Sequence, residues 1–196
     1  MRGQAVASRR RPGATLSDQE FFEQVPRLFW ACHAREETAY HLGIYLAHRP
    51  PDGSEVARAL AFRAPGPAPA VASDLVRDFQ AALADLHYPD AKPLLRLARH
   101  GLDARQAASL AHFELPSYPL YEPLAVKGLL LLGRVAPMPG RLDEPGLRGY
   151  RTFMQQLDEL KEAVPFTCVP EAPYYLSRVV EAALTELAVE QSEAAK

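Results

Sequence analysis

Residues 123–147 read PLAVKGLLLLGRVAPMPGRLDEPGL and belong to two neighbouring apolar runs, followed by a turn-rich segment. The first run covers 121–127 and the second covers 129–135, with a glycine between them. Two such runs around a short break are typical of consecutive antiparallel strands buried on at least one face. Pro123 fits the start of the first strand, where its missing N–H does least harm. The stretch therefore predicts a strand pair.

A long helix is predicted after this strand pair. The segment APMPG, at 136–140, contains the prolines and glycine that interrupt a sheet. Asp143 and Glu144 then place negative charge at the positive end of a helix dipole. The apolar residues that follow recur at steps of three and four and form one stripe: Leu147, Tyr150, Met154, Leu157, Leu160 and Val164.

The N-terminal half begins with a predicted helix and continues with a predicted hairpin. Ser17 and Glu20 have the spacing of a capping box, and Pro26 is expected to kink or shorten the first turns. From Tyr40 the apolar residues alternate with a period of two, which predicts a strand. RPPDGS at 49–54 supplies a turn, and 56–63 is expected to return as the second strand.

Three further helices are predicted. Ser73 caps the first of these, and Asp103 caps a second that covers 104–112. The last helix begins after Pro173. Its apolar side carries four residues at helical spacing: Leu176, Val180, Leu184 and Leu187.

The order of these elements resembles the GAF domain family. The matching features are a Pro-Leu strand start, a strand reversal, a strand ending in glycine and an acidic helix entry, at Pro123-Leu124, Lys127-Gly128, 129–133 and Asp143-Glu144. The segment 40–62 is similar to the first two strands of that family, and PAS and other profilin-like sensor folds share such patterns. The resemblance implies an α+β fold in which helices flank an antiparallel sheet, with amphipathic helices at both ends.

The resemblance also implies a domain organisation. A flexible basic tail is expected over 1–16, a GAF-like domain over 17–164 and a C-terminal helical extension over 165–196. In GAF-like proteins the first and last helices often pair with a second subunit. Leu176, Val180, Leu184 and Leu187 are therefore candidates for such an interface, although an intramolecular role on the sheet fits the same pattern.

Several functions of the family are not supported by the residues present. Cyclic-nucleotide-binding members carry a spread set of polar residues, of which only Asp143 and Glu144 have counterparts here. Neither Cys32 nor Cys168 falls where a bilin attaches, or where the free methionine sulfoxide reductases place their cysteines. Helix capping explains Asp143 and Glu144 more simply.

Composition excludes other classes of function. A formal net charge of −2 disfavours a nucleic-acid partner, which is usually reached through a concentrated basic surface. No apolar run is long enough to span a membrane, and the segment after Arg9–Arg11 is too polar for a secretory signal, so a cytoplasmic protein is expected. The two distant cysteines and the six histidines show no metal-ligand spacing, so we expect no metal and no cofactor.

The predicted function is non-catalytic. The sequence contains no nucleophile elbow, P-loop or dinucleotide glycine pattern. We expect a regulatory or adaptor module in signal transduction that acts through a protein partner or self-association. The alternative is a small-molecule sensor with a central pocket, or a GAF-like enzyme. If a pocket exists, aromatic side chains are expected to line it: Tyr45, Phe79, Tyr118 and Tyr121.

Overall fold

The chain is helical throughout the part that the computed structural model describes, namely residues 15–46, 51–63, 70–163 and 175–196. These ranges contain eight α-helices and one 3-10 helix, and their only β-type pairings are two isolated bridges. The helices are α1 (Asp18–Phe22), α2 (Val25–Leu46), α3 (Gly53–Ala61), α4 (Ser73–Asp85), the 3-10 helix (Lys92–His100), α5 (Ala104–Glu114), α6 (Pro123–Leu131), α7 (Glu144–Ala163) and α8 (Leu176–Ala194).

This architecture overturns the predicted α+β class and the resemblance to a GAF domain. A GAF-like fold is built on an antiparallel sheet, and the described residues contain none. All four segments that were predicted to be strands overlap helices: 40–46 lies in α2, 56–61 lies in α3, and 123–127 and 129–131 lie in α6. The fold class is therefore all-α.

The stretch at 123–131 forms α6 and not a strand. The prediction was wrong because the period of a short apolar run does not separate a strand from a buried helix. Composition favours the helix: leucine and alanine are good helix formers, and Val126 is the one β-branched residue of the run. Pro123 occupies the first helical position, where its missing N–H would be unpaired in any case. The one charged residue of the helix, Lys127, is exposed, and the helix buries Ala125, Val126, Gly128 and Leu129.

The predicted hairpin is replaced by two helices. Helix α2 continues to Leu46, through the residues whose alternation predicted a strand. Asp52, predicted to lie in a turn, is instead the N-cap of α3, and its Oδ1 accepts hydrogen bonds from the N–H groups of Ser54 and Glu55 at 2.8 and 3.0 Å. Glu55 accepts in return from the N–H of Asp52 at 2.9 Å, which completes a capping box.

Several local predictions are confirmed. Ser17 and Asp103 are N-caps with complete capping boxes, and Pro26 lies in the first turn of α2, which is separated from the short α1. Helix α7 begins at Glu144 and buries the predicted stripe through Leu160. Ser73 is the first residue of α4 and not its cap, which is Ala72. Residues 164–174 and most of the predicted tail lie outside the described part.

Helix α8 occupies the centre of the fold. It packs against α6, α2 and α7, and every residue from Ser177 to Ala188 is buried. One hydrophobic cluster extends from Leu16 to Leu187 and includes residues of α8. The described part of the predicted C-terminal extension therefore shares the core of the helices that precede it.

A glycine allows α6 and α8 to approach this closely. A Cβ atom at Gly128 would overlap the backbone carbonyl of Leu184 and would lie 2.8 Å from its Cβ. A helix backbone cannot move away as a flexible side chain can. Position 128 therefore accepts only glycine at this helix separation.

We expect Gly128→Ala to lower the free energy of unfolding by about 1–3 kcal/mol, since the overlap outweighs the gain of about 1 kcal/mol in helix propensity. Urea denaturation measures the change. Gly53→Ala is the matched control, because a Cβ on this helical glycine meets its nearest atom at 3.9 Å. Equal stability of the two variants would contradict the close approach.

Candidate functional site

Ion pairs connect α2 to α8 and show that the two helices run antiparallel. Arg27 pairs with Glu190, Arg35 pairs with Glu186, and Glu36 pairs with Arg178. Burial increases along the series: the Arg27 side chain is 53% exposed, whereas the Arg178 side chain is fully buried. The ion pairs between α2 and α8 thus extend from the protein surface into its core.

At the inner end of this series lies a cluster of four charged residues, which we call the buried ion cluster: Glu36, Arg63, Arg178 and Glu181. Arg63 donates to Glu36 at 2.6 Å and to Glu181 at 2.6 Å. Arg178 donates to the same two carboxylates at 2.9 and 2.6 Å. Each arginine thus bridges both glutamates, and the cluster is neutral as a whole.

Arg63 reaches this cluster from an unusual backbone conformation. Its φ of 55° lies in the left-handed region, just after the end of α3. This conformation costs a non-glycine residue about 1 kcal/mol or more. The bonds to Glu36 and Glu181 offset that cost.

The charges in the cluster stabilise one another against burial. Burial opposes ionisation of Glu36, but the hydrogen bond and charge of Arg63, with the charge of Arg178, hold the pKa of this carboxyl below its usual range. Burial also raises the pKa of the neighbouring Cys32 thiol to about 12. Cys32 is therefore protonated at neutral pH and is not a nucleophile.

A cleft of about 610 Å³ opens beside the buried ion cluster, and we call it the charged cleft. It lies among α2, α5, α6, α8 and the end of α3. Three of its lining residues are apolar, and we call them the apolar wall: Pro123, Leu124 and Val189. The other lining residues are polar or charged: Arg35, Glu36, Arg63, Arg105, Glu122, Thr185 and Glu193.

A second ion pair contributes to the lining of the charged cleft. Nε of Arg105 donates to both carboxylate oxygens of Glu122, at 2.9 and 2.8 Å, and Nη2 donates to the carbonyl of Phe62 at 3.2 Å. The Glu122 side chain is 7% exposed. Burial raises the pKa of Glu122, although Arg105 acts in the opposite direction. Pairing with Arg105 therefore offsets only part of the effect of burial on this carboxylate.

A second cleft, of about 630 Å³, lies along α7 and is lined by His87, Pro89, Asp90, Arg151, Met154, Gln155, Asp158, Glu159 and Glu162. Tyr88 donates to Asp158 nearby, at 2.5 Å. None of the charged residues that line this cleft is buried. The charged cleft is therefore the stronger candidate, because only it places buried charged groups beside an open volume.

The predicted pocket residues do not form this site. Phe79, Tyr118 and Tyr121 are buried in the core and line neither cleft. The hydroxyl of Tyr118 donates to the Asp90 carbonyl at 3.0 Å, and that of Tyr121 donates to the Pro137 carbonyl at 2.6 Å. The side chain of Tyr45 lies outside the described residues. A ligand-binding role for the four aromatic residues stays a prediction, and Phe79, Tyr118 and Tyr121 pack in the core.

The predicted interface residues pack against the core of their own chain. Val180, Leu184 and Leu187 are buried, and Leu176 is partly buried against the same core. This placement corresponds to the intramolecular role that the pattern also allowed. A role for these residues in association stays a prediction.

Sequence reasoning missed the residues of the buried ion cluster. One signal was present: Arg178, Glu181 and Thr185 follow one another at three- and four-residue steps on the helix that carries the apolar stripe of Leu176, Val180, Leu184 and Leu187. The hydroxyl of Thr185 donates to Glu181 at 2.9 Å, so the three residues share one face. Nothing in the sequence connects them with Glu36 or Arg63, because those residues lie more than a hundred positions away.

The described ranges were also searched for metal-binding groups and membrane-spanning helices. Within the described ranges, no group of three or more histidine, cysteine, aspartate or glutamate side chains is arranged to hold a metal ion. In the same ranges, no helix has both the length and the apolar character needed to cross a membrane.

Comparisons of the chain with protein-family models, curated proteins and solved structures found no match.

We expect Arg178→Met to lower the free energy of unfolding by about 3–5 kcal/mol, because Glu36 and Glu181 lose a buried partner. The control Arg27→Met removes an exposed pair and should cost at most about 1 kcal/mol. Urea denaturation of both variants measures the difference. If both variants lost only a similar, small amount of unfolding free energy, burial would not be what makes the ion pairs of the cluster important for stability.

The carboxyl of Glu114, at the end of α5, should make stability depend on pH. Burial, with the nearby charge of Glu55, raises the pKa of Glu114 from 4.5 to about 7. The folded protein thus binds a proton more tightly than the unfolded chain, and its stability falls as pH rises from 4.5 to about 7.

Glu114→Gln should therefore stabilise the protein at pH 8 by about 1–2 kcal/mol, a figure reduced for solvent screening of a half-buried group. The advantage should disappear near pH 4, where Glu114 is protonated in both states. Thermal melts across this pH range measure it. The control Glu162→Gln, at an exposed position, should show no such trend. An advantage independent of pH would contradict the assignment.

Proposed function

We propose that the protein is a non-catalytic binding module that holds a small molecule in the charged cleft. The observation that carries this proposal is the Arg105–Glu122 pair, with side chains 18% and 7% exposed, in the lining of a 610 Å³ cleft that also has apolar lining residues. Ligand sites commonly combine an apolar lining with a few polar groups in defined positions. Paired charges hold such groups in place before a ligand arrives.

The chemistry of the cleft supports binding more than catalysis. Its carboxylates Glu36, which is partly buried, and Glu122, which is buried, are each held by arginine, so neither is a ready general base. The nearby Cys32 thiol is protonated at neutral pH, because its pKa is about 12. A regulatory role in the cytoplasm, predicted from the sequence, is part of this proposal.

Native mass spectrometry of the protein purified from its own host tests the proposal. The expected result is a retained small molecule that disappears on denaturation. Val189→Trp should abolish retention, because a large side chain at the partly buried rim fills the cleft without removing a charge. Val135→Trp is the matched control, since Val135 is 72% exposed and lies outside the cleft.

Two results would contradict the small-molecule proposal. One is a protein that carries no small molecule under gentle conditions. The other is equal retention in Val189→Trp and Val135→Trp, which would place the molecule elsewhere. Both variants must first give the same helical circular dichroism spectrum as the parent.

Protein association is the second candidate function. The segment between α6 and α7 exposes Val135 at 72% and Met138 at 46%. Exposed apolar side chains within one short segment suit a contact with a protein partner or a second copy. The double variant Val135→Asp and Met138→Asp should then abolish any complex seen by native mass spectrometry, and an unchanged complex would exclude this segment as the contact.

A further inference from the structure

We infer that the ligand of the charged cleft is a zwitterion with an apolar side chain, of the class of an apolar amino acid or a short peptide. This inference rests on the proposed function and names the ligand class of the same site. It follows from the charge balance of the lining, the hydrogen-bonding capacity left in one ion pair, and the position of the apolar wall.

The lining of the charged cleft carries no net charge. It contains three arginines and three glutamates, Arg35, Arg63, Arg105, Glu36, Glu122 and Glu193. Introducing a net charge into a partly buried site has a desolvation cost that a balanced lining does not offset. A ligand that is neutral overall but carries both charges avoids this cost and still pairs with the lining.

Two arginines of the lining, Arg63 and Arg105, differ in the donors they have left. Arg63 uses Nε, Nη1 and Nη2 on Glu36 and Glu181. Arg105 uses Nε on Glu122 and Nη2 on a backbone carbonyl, and within the described residues no acceptor takes up Nη1. Nη1 of Arg105 is therefore the donor suited to a ligand carboxylate.

Glu122 supplies the complementary acceptor. Each of its carboxylate oxygens accepts one hydrogen bond from Arg105, and a carboxylate oxygen has two lone pairs. The remaining acceptor sites suit a ligand ammonium group. A ligand that carries both a carboxylate and an ammonium thus matches Arg105 and Glu122, which are already held side by side.

The apolar wall selects the rest of the ligand. Pro123, Leu124 and Val189 line the same cleft. A volume of about 610 Å³ lies within the range of roughly 300–1,000 Å³ found for small-molecule sites. An aliphatic side chain against this wall would be removed from water while its charged end meets Arg105 and Glu122.

Isothermal titration calorimetry of the full chain tests the inference with leucine and leucyl-leucine as probes. N-acetyl-leucine and N-acetyl-leucyl-leucine lack the ammonium group, and leucinamide and leucyl-leucinamide lack the carboxylate. We expect a zwitterion to bind about tenfold or more tightly than its singly charged analogue, because each analogue loses one charge-assisted hydrogen bond. Comparison of the two probes shows whether an amino acid or a peptide is preferred.

Two variants assign the charges to residues. Arg105→Gln should remove the preference for leucyl-leucine over leucyl-leucinamide, and Glu122→Gln should remove the preference over the N-acetyl analogue. A residue with only a structural role would weaken all three ligands alike. Arg27→Gln, in an exposed pair outside the cleft, is the control and should change neither preference. If a cleft variant does not fold, the analogue series on the parent chain decides.

The outcomes separate this inference from the proposed function. Equal binding of the zwitterions and their analogues would overturn the zwitterion assignment. The zwitterion assignment would also be overturned if neither probe bound while the protein retained another small molecule that is lost in Val189→Trp. The proposed function would then stand. The absence of both probe binding and a retained molecule would overturn both.

Discussion

The structure depends on how two charged residues of a central helix are neutralised. Helix α8 passes through the core, and Arg178 and Glu181 are fully buried within it. Unpaired charges there would cost several kcal/mol each. Glu36 from α2 and Arg63 from the end of α3 pair with them, so the arrangement of these helices is as much an electrostatic requirement as an apolar one.

The charged cleft follows from the same requirement. Arg63 and Glu36 belong both to the buried ion cluster and to the cleft lining. Arg105 extends the polar surface to Glu122, at the start of α6. The close approach of α6 to α8 at Gly128 keeps the apolar end of α6 beside these charges. A site with paired charges and an apolar wall is thus a consequence of packing α8 in the centre.

Helix caps were predictable from the sequence, whereas the choice between strand and helix for the short apolar runs was not. The capping boxes at Ser17 and Asp103 were predictable because their hydrogen bonds join residues three positions apart. The segment that forms α6 was predicted to be a strand, because a short apolar run satisfies both periods. Asp52 preceding Gly53 predicted a turn, since helix caps and turns favour the same residue types.

The sequence by itself determined several helix starts and the apolar stripes of α7 and α8, since these depend on residues within a few turns of one another. Only the tertiary structure decided that α8 is central and that its charges meet Glu36 and Arg63. These contacts join residues up to 142 positions apart. Their formation depends on how whole helices pack, and a local pattern carries no record of the partner that will neutralise a buried charge.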